Sequence, residues 1–91
     1  MTSQQKVAVV TGASQGIGAS VVKAFRDRNY HVIANSRSIK ASSDSDVIAV
    51  PGDISDRAVA QRIVSEAMSR FGRIDIVVNN AGIFEIGRAH V

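Results

Sequence analysis

The chain has 91 residues, of which 45% are hydrophobic and 21% charged, a composition that indicates one small globular domain and excludes a disordered or collagenous chain. No apolar run approaches the roughly 18 residues that a membrane-spanning helix needs, and the polar leader 1–6 is unlike a signal peptide. The net charge of +3 is scattered, and aromatic residues are only 4%, so we expect neither a nucleic-acid nor a membrane partner. The absence of cysteine agrees with a reducing, cytoplasmic location.

The first half of the chain alternates strand-like and helical patterns. Lys6–Thr11 is a continuous apolar run, typical of a strand buried on both faces of a parallel sheet. Apolar residues then recur at helical spacing, at Ile17, Val21, Ala24 and Phe25. Two more strands are predicted over 31–35 and 47–50. The polar stretch 36–46 between them is too short for a full crossover helix.

The second half predicts a longer helix and a fourth strand. Ser55 or Asp56 caps the helix, and Gly72 stands where a left-handed residue ends it. Its apolar stripe consists of four residues at four-residue steps and two that widen it, namely Val59, Ile63, Ala67, Phe71, Val64 and Met68. The last strand covers 74–79. This order of elements predicts an α/β fold with a doubly wound, mainly parallel sheet.

A glycine-rich turn follows the first strand. Gly12 permits the tight turn, Gly16 lets the backbone approach a diphosphate, and Gly18 lets helix and strand pack closely. The helix N-terminus behind the turn offers unpaired N–H groups and a positive dipole end. Because a strand precedes the turn and a helix follows it, the pattern predicts dinucleotide binding rather than an ordinary turn. The candidate contacts here are Gly12, Ser14, Gln15, Gly16, Ile17 and Gly18.

Two motifs together resemble the short-chain dehydrogenase/reductase family over about residues 6–84, namely Thr11-Gly12-x-x-x-Gly16-x-Gly18 and Asn79-Asn80-Ala81-Gly82. The resemblance implies the N-terminal half of a Rossmann-type domain, with an NAD or NADP cofactor and strand order 3-2-1-4. It also implies hydride transfer at a carbonyl or alcohol carbon of a small-molecule substrate, in a homo-oligomeric parent protein. In that strand order both motifs meet at one crevice. By the same resemblance Asn79 is structural, whereas Asn80, Ala81 and Gly82 line the cofactor.

The end of the second strand bears on the choice of cofactor. A site for NAD usually has a carboxylate about 20 residues past the glycines, but Ser36 stands where the family's NAD enzymes commonly carry Asp. The guanidinium of Arg37 can hold a 2′-phosphate bidentately. The alternative is that Arg37 is a solvated loop residue. Gln15 argues against NADP, because many NADP enzymes of the family have a basic residue at that position. We predict NADP, with NAD as the alternative.

Asp53 and Ile54, after the third strand, resemble the family's adenine contact. Asp53 would accept a hydrogen bond from the exocyclic amine, and Ile54 would supply a backbone group or pack against the ring. The alternative is that Asp53 caps the following helix, for which Ser55 and Asp56 are better placed.

The chain lacks the family's acid–base residues, a Ser and a Tyr-x-x-x-Lys. The only tyrosine is Tyr30, and Ala34 occupies the position where the lysine is needed, so we interpret Tyr30 as a packing residue. His31 and His90 show no metal-ligand spacing. We therefore predict no catalytic residue and no metal site in this chain. The parent is expected to be an oxidoreductase, and a non-catalytic dinucleotide-binding or sensing module is the alternative.

The resemblance ends after Phe84, before the midpoint of a usual family member. One permitted back-translation of Glu85–Val91, GAG ATC GGA AGA GCA CAC GTC, resembles a widely used sequencing adapter. We predict a partial domain over 1–84 and a non-native read-through tail over 85–91. A divergent native loop is the alternative.

Overall fold

A computed structural model describes residues 5–13 and 16–80 of the chain. Its elements, in chain order, are β1 (Val7–Thr11), α1 (Gly16–Asp27), β2 (His31–Ser36), β3 (Val47–Pro51), α2 (Arg57–Arg70) and β4 (Ile76–Asn79). Each predicted element is confirmed, with strand ends that differ by one or two residues. The predictions at Ser14, Gln15, Ala81 and Gly82, and for the tail 85–91, lie outside the described residues. No described helix is long and apolar enough to cross a membrane.

The strands form one parallel sheet in the order β3-β2-β1-β4, which confirms the predicted Rossmann-type arrangement. All of β1 is buried, as expected for an apolar strand that is covered on both faces. At its carboxyl end Thr11 lies in register with Asn35 of β2 and Asn79 of β4. Within the described part of the chain, β4 pairs on one side only, and its Val77 is 62% exposed.

Helix α1 covers one face of the sheet. Its side chains Val21, Val22 and Phe25 pack against buried residues of β1 and β2 on that face. Ile17 and Ala24, which the helical pattern placed in the same stripe, are instead exposed. The apolar stripe therefore begins at Val21 and includes Val22 rather than Ala24.

The connection between β2 and β3 contains no helix over residues 37–46, as its length predicted. Ile39 from this segment packs onto the face covered by α1. Near its end, Asp44 and Asp46 bind Arg26 of α1, with N···O distances of 2.8 and 3.1 Å. The hydrogen bond from Arg26 holds the pKa of Asp44 below its usual value. One apolar side chain and two ion pairs thus cover the region where a crossover helix usually lies.

Helix α2 has the two ends that the sequence predicted. Asp56 is the N-cap, because its carboxylate accepts a hydrogen bond from the backbone N of Ala58 at 2.9 Å. After Phe71 the chain turns through Gly72, whose φ is +80°. The backbone N–H of Gly72 donates to the carbonyl of Ala67 at 3.0 Å, which satisfies one of the last carbonyls of the helix.

The face of α2 that meets the sheet is narrower than predicted. Ile63 and Ala67 are buried there, but Val64 and Met68 are 51% and 49% exposed. Each of these two follows a buried residue by one position, which is about 100° around a helix. Val64 and Met68 therefore lie beside the buried stripe formed by Ile63 and Ala67 and do not belong to it.

The start of the β1–β4 pair is held by Asp75. Its backbone N–H donates to the carbonyl of Val7, and its carboxylate accepts from the backbone N–H of Val7, both at 2.9 Å. The guanidinium of Arg73 binds both oxygens of the same carboxylate, at 2.8 and 2.7 Å. These hydrogen bonds, that of Arg73 first, lower the pKa of Asp75.

The packing of α1 against the glycine turn leaves no room for a side chain at Gly18. A Cβ added there would lie 1.8 Å from the carbonyl oxygen of Gly12 and 2.7 Å from its carbonyl carbon. Both atoms are backbone, so no rotamer change relieves the contact. The predicted role of Gly18 in close packing is confirmed.

We expect Asp75→Asn to destabilise the fold in a pH-dependent way. A carboxylate whose pKa is lowered on folding contributes stability above its unfolded pKa, near 4, and loses it as the pH falls through the folded value. The urea midpoint of the variant should therefore be below that of the wild type at pH 7, and the gap should shrink by pH 3. Asp27→Asn, on an exposed helical pair with Lys23, is the control and should change little. A gap that stays constant between the two pH values contradicts this account.

We expect Gly18→Ala to lower the free energy of unfolding by about 3 kcal/mol, because the new methyl group overlaps backbone atoms. Gly72→Ala is the matched control. The φ of Gly72 is +80°, unlike that of Gly18, and nothing lies within 4 Å of an added Cβ, so we expect a loss of about 1 kcal/mol from backbone strain alone. Urea denaturation measures the free energy of unfolding of both variants. Equal losses would show that overlap with the backbone of Gly12 does not destabilise Gly18→Ala.

Candidate dinucleotide site

The described candidate residues lie where the parallel strands end. Gly12 follows β1, Arg37 follows β2, and Asn80 follows β4. Because the strands run in one direction, their carboxyl ends emerge at one edge of the sheet. The structure therefore brings together segments that are separated by up to 68 residues in sequence.

The glycine turn is tied to both neighbouring strands. The backbone N–H of Ala13 donates to the carbonyl of Asn35 at 2.9 Å. On the other side the side-chain amide of Asn80 donates to the carbonyl of Gly12 at 3.4 Å. Gly12 itself has a φ of +63°, a left-handed conformation that favours glycine. These contacts fix the path of the chain out of β1.

The start of α1 is open. Gly16 has a φ of +42°, and nothing lies within 4 Å of the position that a Cβ would occupy. The next residue, Ile17, is 73% exposed. The first turn of α1, all of which is described, carries no acidic side chain. The N–H groups and the positive dipole end of a helix N-terminus favour an anion, and among the described residues nothing at Gly16 blocks its approach.

Asn79 has a structural contact below this edge. Its side-chain oxygen accepts a hydrogen bond from the hydroxyl of Thr11 at 3.0 Å. That hydroxyl also lies 3.4 Å from the carbonyl oxygen of Val78. The pair links the ends of β1 and β4, and it accords with the structural role that the resemblance gives to Asn79.

Ser36 and Arg37 end β2 with different exposure. The hydroxyl oxygen of Ser36 is buried and has no hydrogen-bond partner among the described residues. The side chain of Arg37 is 81% exposed, and its Nη2 lies 3.4 Å from Oδ2 of Asp53. This edge thus offers a hydroxyl and a guanidinium, and the described carboxylate beside the guanidinium comes from the segment after β3.

Asp53 does not cap α2. Its Oδ1 accepts from the backbone N and the hydroxyl of Ser55, at 2.9 and 2.8 Å, while Asp56 holds the capping position. These two hydrogen bonds, with a smaller contribution from Arg37, lower the pKa of Asp53. Ile54 is half-buried and packs against the core beneath α2. Because the side chain of Ile54 packs against the core, its backbone is the group that can contact an adenine ring.

Two further residues, which the sequence patterns did not single out, shape this edge. Asn35 is buried, and its side-chain amide donates to the carbonyls of Val50 and Gly52 at 2.8 and 3.2 Å. Gly52 has a φ of +134°, and a Cβ there would lie 2.6 Å from a methyl carbon of Val59. An asparagine inside the apolar run 31–35 and a Pro-Gly pair after a strand were the available signals.

Neither the tyrosine nor the described metal-ligating residue types form a reactive group. Tyr30 packs against Phe25 with ring centroids 4.9 Å apart, as the sequence analysis interpreted it. In the described part of the chain, no group of three or more His, Cys, Asp or Glu side chains is arranged to hold a metal ion.

The residues present fit a dinucleotide. The buried hydroxyl of Ser36, which has no partner in the described part of the chain, can bond to a ribose or phosphate oxygen. The space at Gly16, open as far as residues 5–13 and 16–80 show, allows close approach of a diphosphate to backbone N–H groups. Asp53 keeps one carboxylate oxygen outside its bonds to Ser55.

Comparison with known proteins agrees with this geometry. The profile of the short chain dehydrogenase family matches residues 6–90. An uncharacterized oxidoreductase of Methylorubrum extorquens is 43% identical over 90 residues, which cover 88% of this chain and 36% of that protein. L-fucose dehydrogenase of Mus musculus is 45% identical over 83 residues, which cover 85% of this chain and 30% of that protein.

Solved structures give the same result. The crystal structure of YwfH, an NADPH-dependent reductase involved in bacilysin biosynthesis, superposes with a TM-score of 0.74 at 30% identity, covering 85% of this chain and 37% of that one. The chain thus spans about a third of the length of these relatives. With a family profile that matches almost the whole chain, a parallel sheet in the order 3-2-1-4 and a glycine turn at its central strand, the chain belongs to the short-chain dehydrogenase/reductase family.

Proposed function

We propose that this chain is the adenosine-binding part of an NADP-dependent oxidoreductase. The parent would transfer hydride between NADP(H) and the carbonyl or alcohol carbon of a small molecule. The observation that carries the proposal is the end of β2, where Ser36 offers a buried hydroxyl that no described residue bonds, and Arg37 offers an exposed guanidinium.

The two residues suit a phosphate better than a pair of ribose hydroxyls. A carboxylate at the position of Ser36 would repel a 2′-phosphate, and the chain has none there. Arg37 offers several N–H donors in one plane, the geometry that a phosphate accepts. The NADPH-dependent reductase among the structural relatives supports the same choice.

The other candidates divide the rest of the cofactor between them. Gly12, Gly16 and Gly18, with Ile17 and the start of α1, would hold the diphosphate. Ser14 and Gln15 would contact the ribose-phosphate end. Asp53 would accept from the adenine amine, with the backbone of Ile54 beside it. Asn80, Ala81 and Gly82 would line the cofactor from the end of β4. When bound, the cofactor supplies the hydride chemistry, and these residues bind and orient it.

For the parent protein we also propose an oligomeric state, a location and a native extent of this segment. A homo-oligomer follows from family resemblance, and a cytoplasmic location is favoured by the absence of cysteine from the sequence. The proposed division into a native segment 1–84 and a read-through tail 85–91 stands on the back-translated codons.

We expect Arg37→Ala, in the full-length parent, to weaken NADPH binding about 10- to 100-fold, the range for loss of a charge-assisted hydrogen-bond pair. NADH lacks the 2′-phosphate and should be affected much less. Fluorescence titration with both nucleotides measures the ratio of their dissociation constants. Arg62→Ala, on the exposed side of α2, is the matched control and should leave the ratio unchanged. Equal losses for the two nucleotides would refute the assignment of Arg37.

We expect the parent reading frame to continue past codon 84 into a Ser and a Tyr-x-x-x-Lys, the acid–base residues that the reaction needs. Sequencing the source gene through this region tests the enzymatic proposal. A frame that lacks them would favour a non-catalytic dinucleotide-binding or sensing module. A genomic Glu85–Val91 would refute the read-through tail.

A further inference from the structure

Asp53 and Arg37 form the single ion pair between separate elements at the described carboxyl edge of the sheet. Arg26 with Asp44 and Asp46 joins α1 to the segment before β3, and Arg73 with Asp75 lies within the segment before β4, so these described pairs are near the opposite ends of the strands. Residues at the carboxyl edge of an open α/β sheet face the ligand crevice. A pair at this edge therefore places an intramolecular carboxylate on the guanidinium that our proposal reserves for a phosphate.

We propose that Asp53 competes with the 2′-phosphate for Arg37 and so sets how strongly the protein prefers NADP(H) over NAD(H). This inference rests on the function proposed above. It assigns to Asp53 a second role, distinct from any contact with adenine. To bind the phosphate, the guanidinium of Arg37 would have to leave the carboxylate of Asp53. The free energy of that lost contact reduces the preference for NADP(H).

The backbone holds the two residues opposite each other. Ser36 lies in register with Pro51, and the backbone N–H of Gly52 donates to the carbonyl of Ser36 at 3.1 Å. Arg37 and Asp53 emerge just beyond this rung. The positive φ of Gly52 turns the chain there. The short separation of the two side chains is thus set by the sheet.

The two partners differ in how firmly they are held. One oxygen of Asp53 is fixed by two hydrogen bonds to Ser55, at 2.8 and 2.9 Å, which direct the other oxygen toward Arg37. Arg37 makes one long contact of 3.4 Å from a side chain that is 81% exposed. The carboxylate is therefore the static partner, and the guanidinium is the one that exchanges. The hydrogen bonds from Ser55 lower the pKa of Asp53, so they favour its charged form.

A binding experiment on the full-length parent tests this. The readout is the ratio of the dissociation constants of NADH and NADPH, from fluorescence titration without turnover. Contacts to adenine are common to both nucleotides and cancel in this ratio. Asp53→Asn removes the charge but keeps an amide oxygen that accepts from Ser55. We expect it to raise the ratio about two- to fivefold in favour of NADPH, the range for loss of one exposed ion pair.

Two further variants separate competition from a general effect of charge. Asp56→Asn removes the same charge three residues away and retains a good N-cap, so we expect an unchanged ratio. In an Arg37→Ala background, Asp53→Asn should have no effect, because the shared partner is gone. Thermal unfolding of each variant verifies that it is folded.

The outcomes are distinguishable. A rise with Asp53→Asn that disappears in the Arg37→Ala background supports competition. An unchanged or lowered ratio, an equal rise in both backgrounds, or a rise with Asp56→Asn overturns it. If Arg37→Ala alone lowers the ratio, the proposed function stands even when the competition fails. If Arg37→Ala leaves the ratio unchanged, the proposed function itself fails, and this inference fails with it.

Discussion

Hydrogen bonds from β1 to β2 on one side and to β4 on the other hold three segments of the chain in a single parallel register. Because these strands run in the same direction, Thr11, Asn35 and Asn79 come to one level at one edge of the sheet. The chain then leaves each strand into a segment that carries candidate residues. Because β1 is apolar on both faces, a shift by one residue would still bury apolar side chains. It would, however, move the polar groups at the end of the strand away from their partners, and these groups therefore fix the register.

The polar groups at this edge fall into an inner and an outer set. The inner set is satisfied within the protein, as with the amide of Asn35 on carbonyls after β3 and the hydroxyl of Thr11 on Asn79. Buried polar groups without partners are costly, so these bonds hold the strand ends together. The outer set is the start of α1, the exposed guanidinium of Arg37 and the Ser36 hydroxyl, which is buried but has no hydrogen-bond partner among the described residues. Rigid support beneath open donors is what an oriented, tightly bound cofactor requires.

The two ends of the sheet use charge differently. Near the amino ends, the carboxylate of Asp75 is bound by Arg73 and by the backbone of Val7, and Arg26 holds the segment before β3. These contacts close the structure. At the carboxyl end, Arg37 has a single long contact and is mostly exposed. The same type of interaction is therefore structural at one end of the strands and exchangeable at the other.

Periodicity and turn chemistry predicted most of this fold. Continuous apolar runs indicate strands covered on both faces, and the positions of Asp56 and Gly72 mark the ends of α2, because capping depends on local backbone geometry. The same patterns predicted the wrong width for the buried faces. Ile17, Val64 and Met68 are apolar and suitably spaced, but burial depends on which element lies opposite, and the described elements leave these three exposed.

The candidate site divides in the same way. The sequence by itself determined the glycine turn, the cofactor candidates Ser36 and Arg37, and the candidate adenine contact Asp53, since each is a local feature at the end of an apolar run. Only the tertiary structure decided that Asp53 faces Arg37, that Asn35 supports the end of β3, and that the carbonyl of Gly12 leaves no room for a side chain at Gly18. The physical reason is that these contacts form across the sheet or between helix and turn, so they depend on how separate elements pair and pack, which no local pattern encodes.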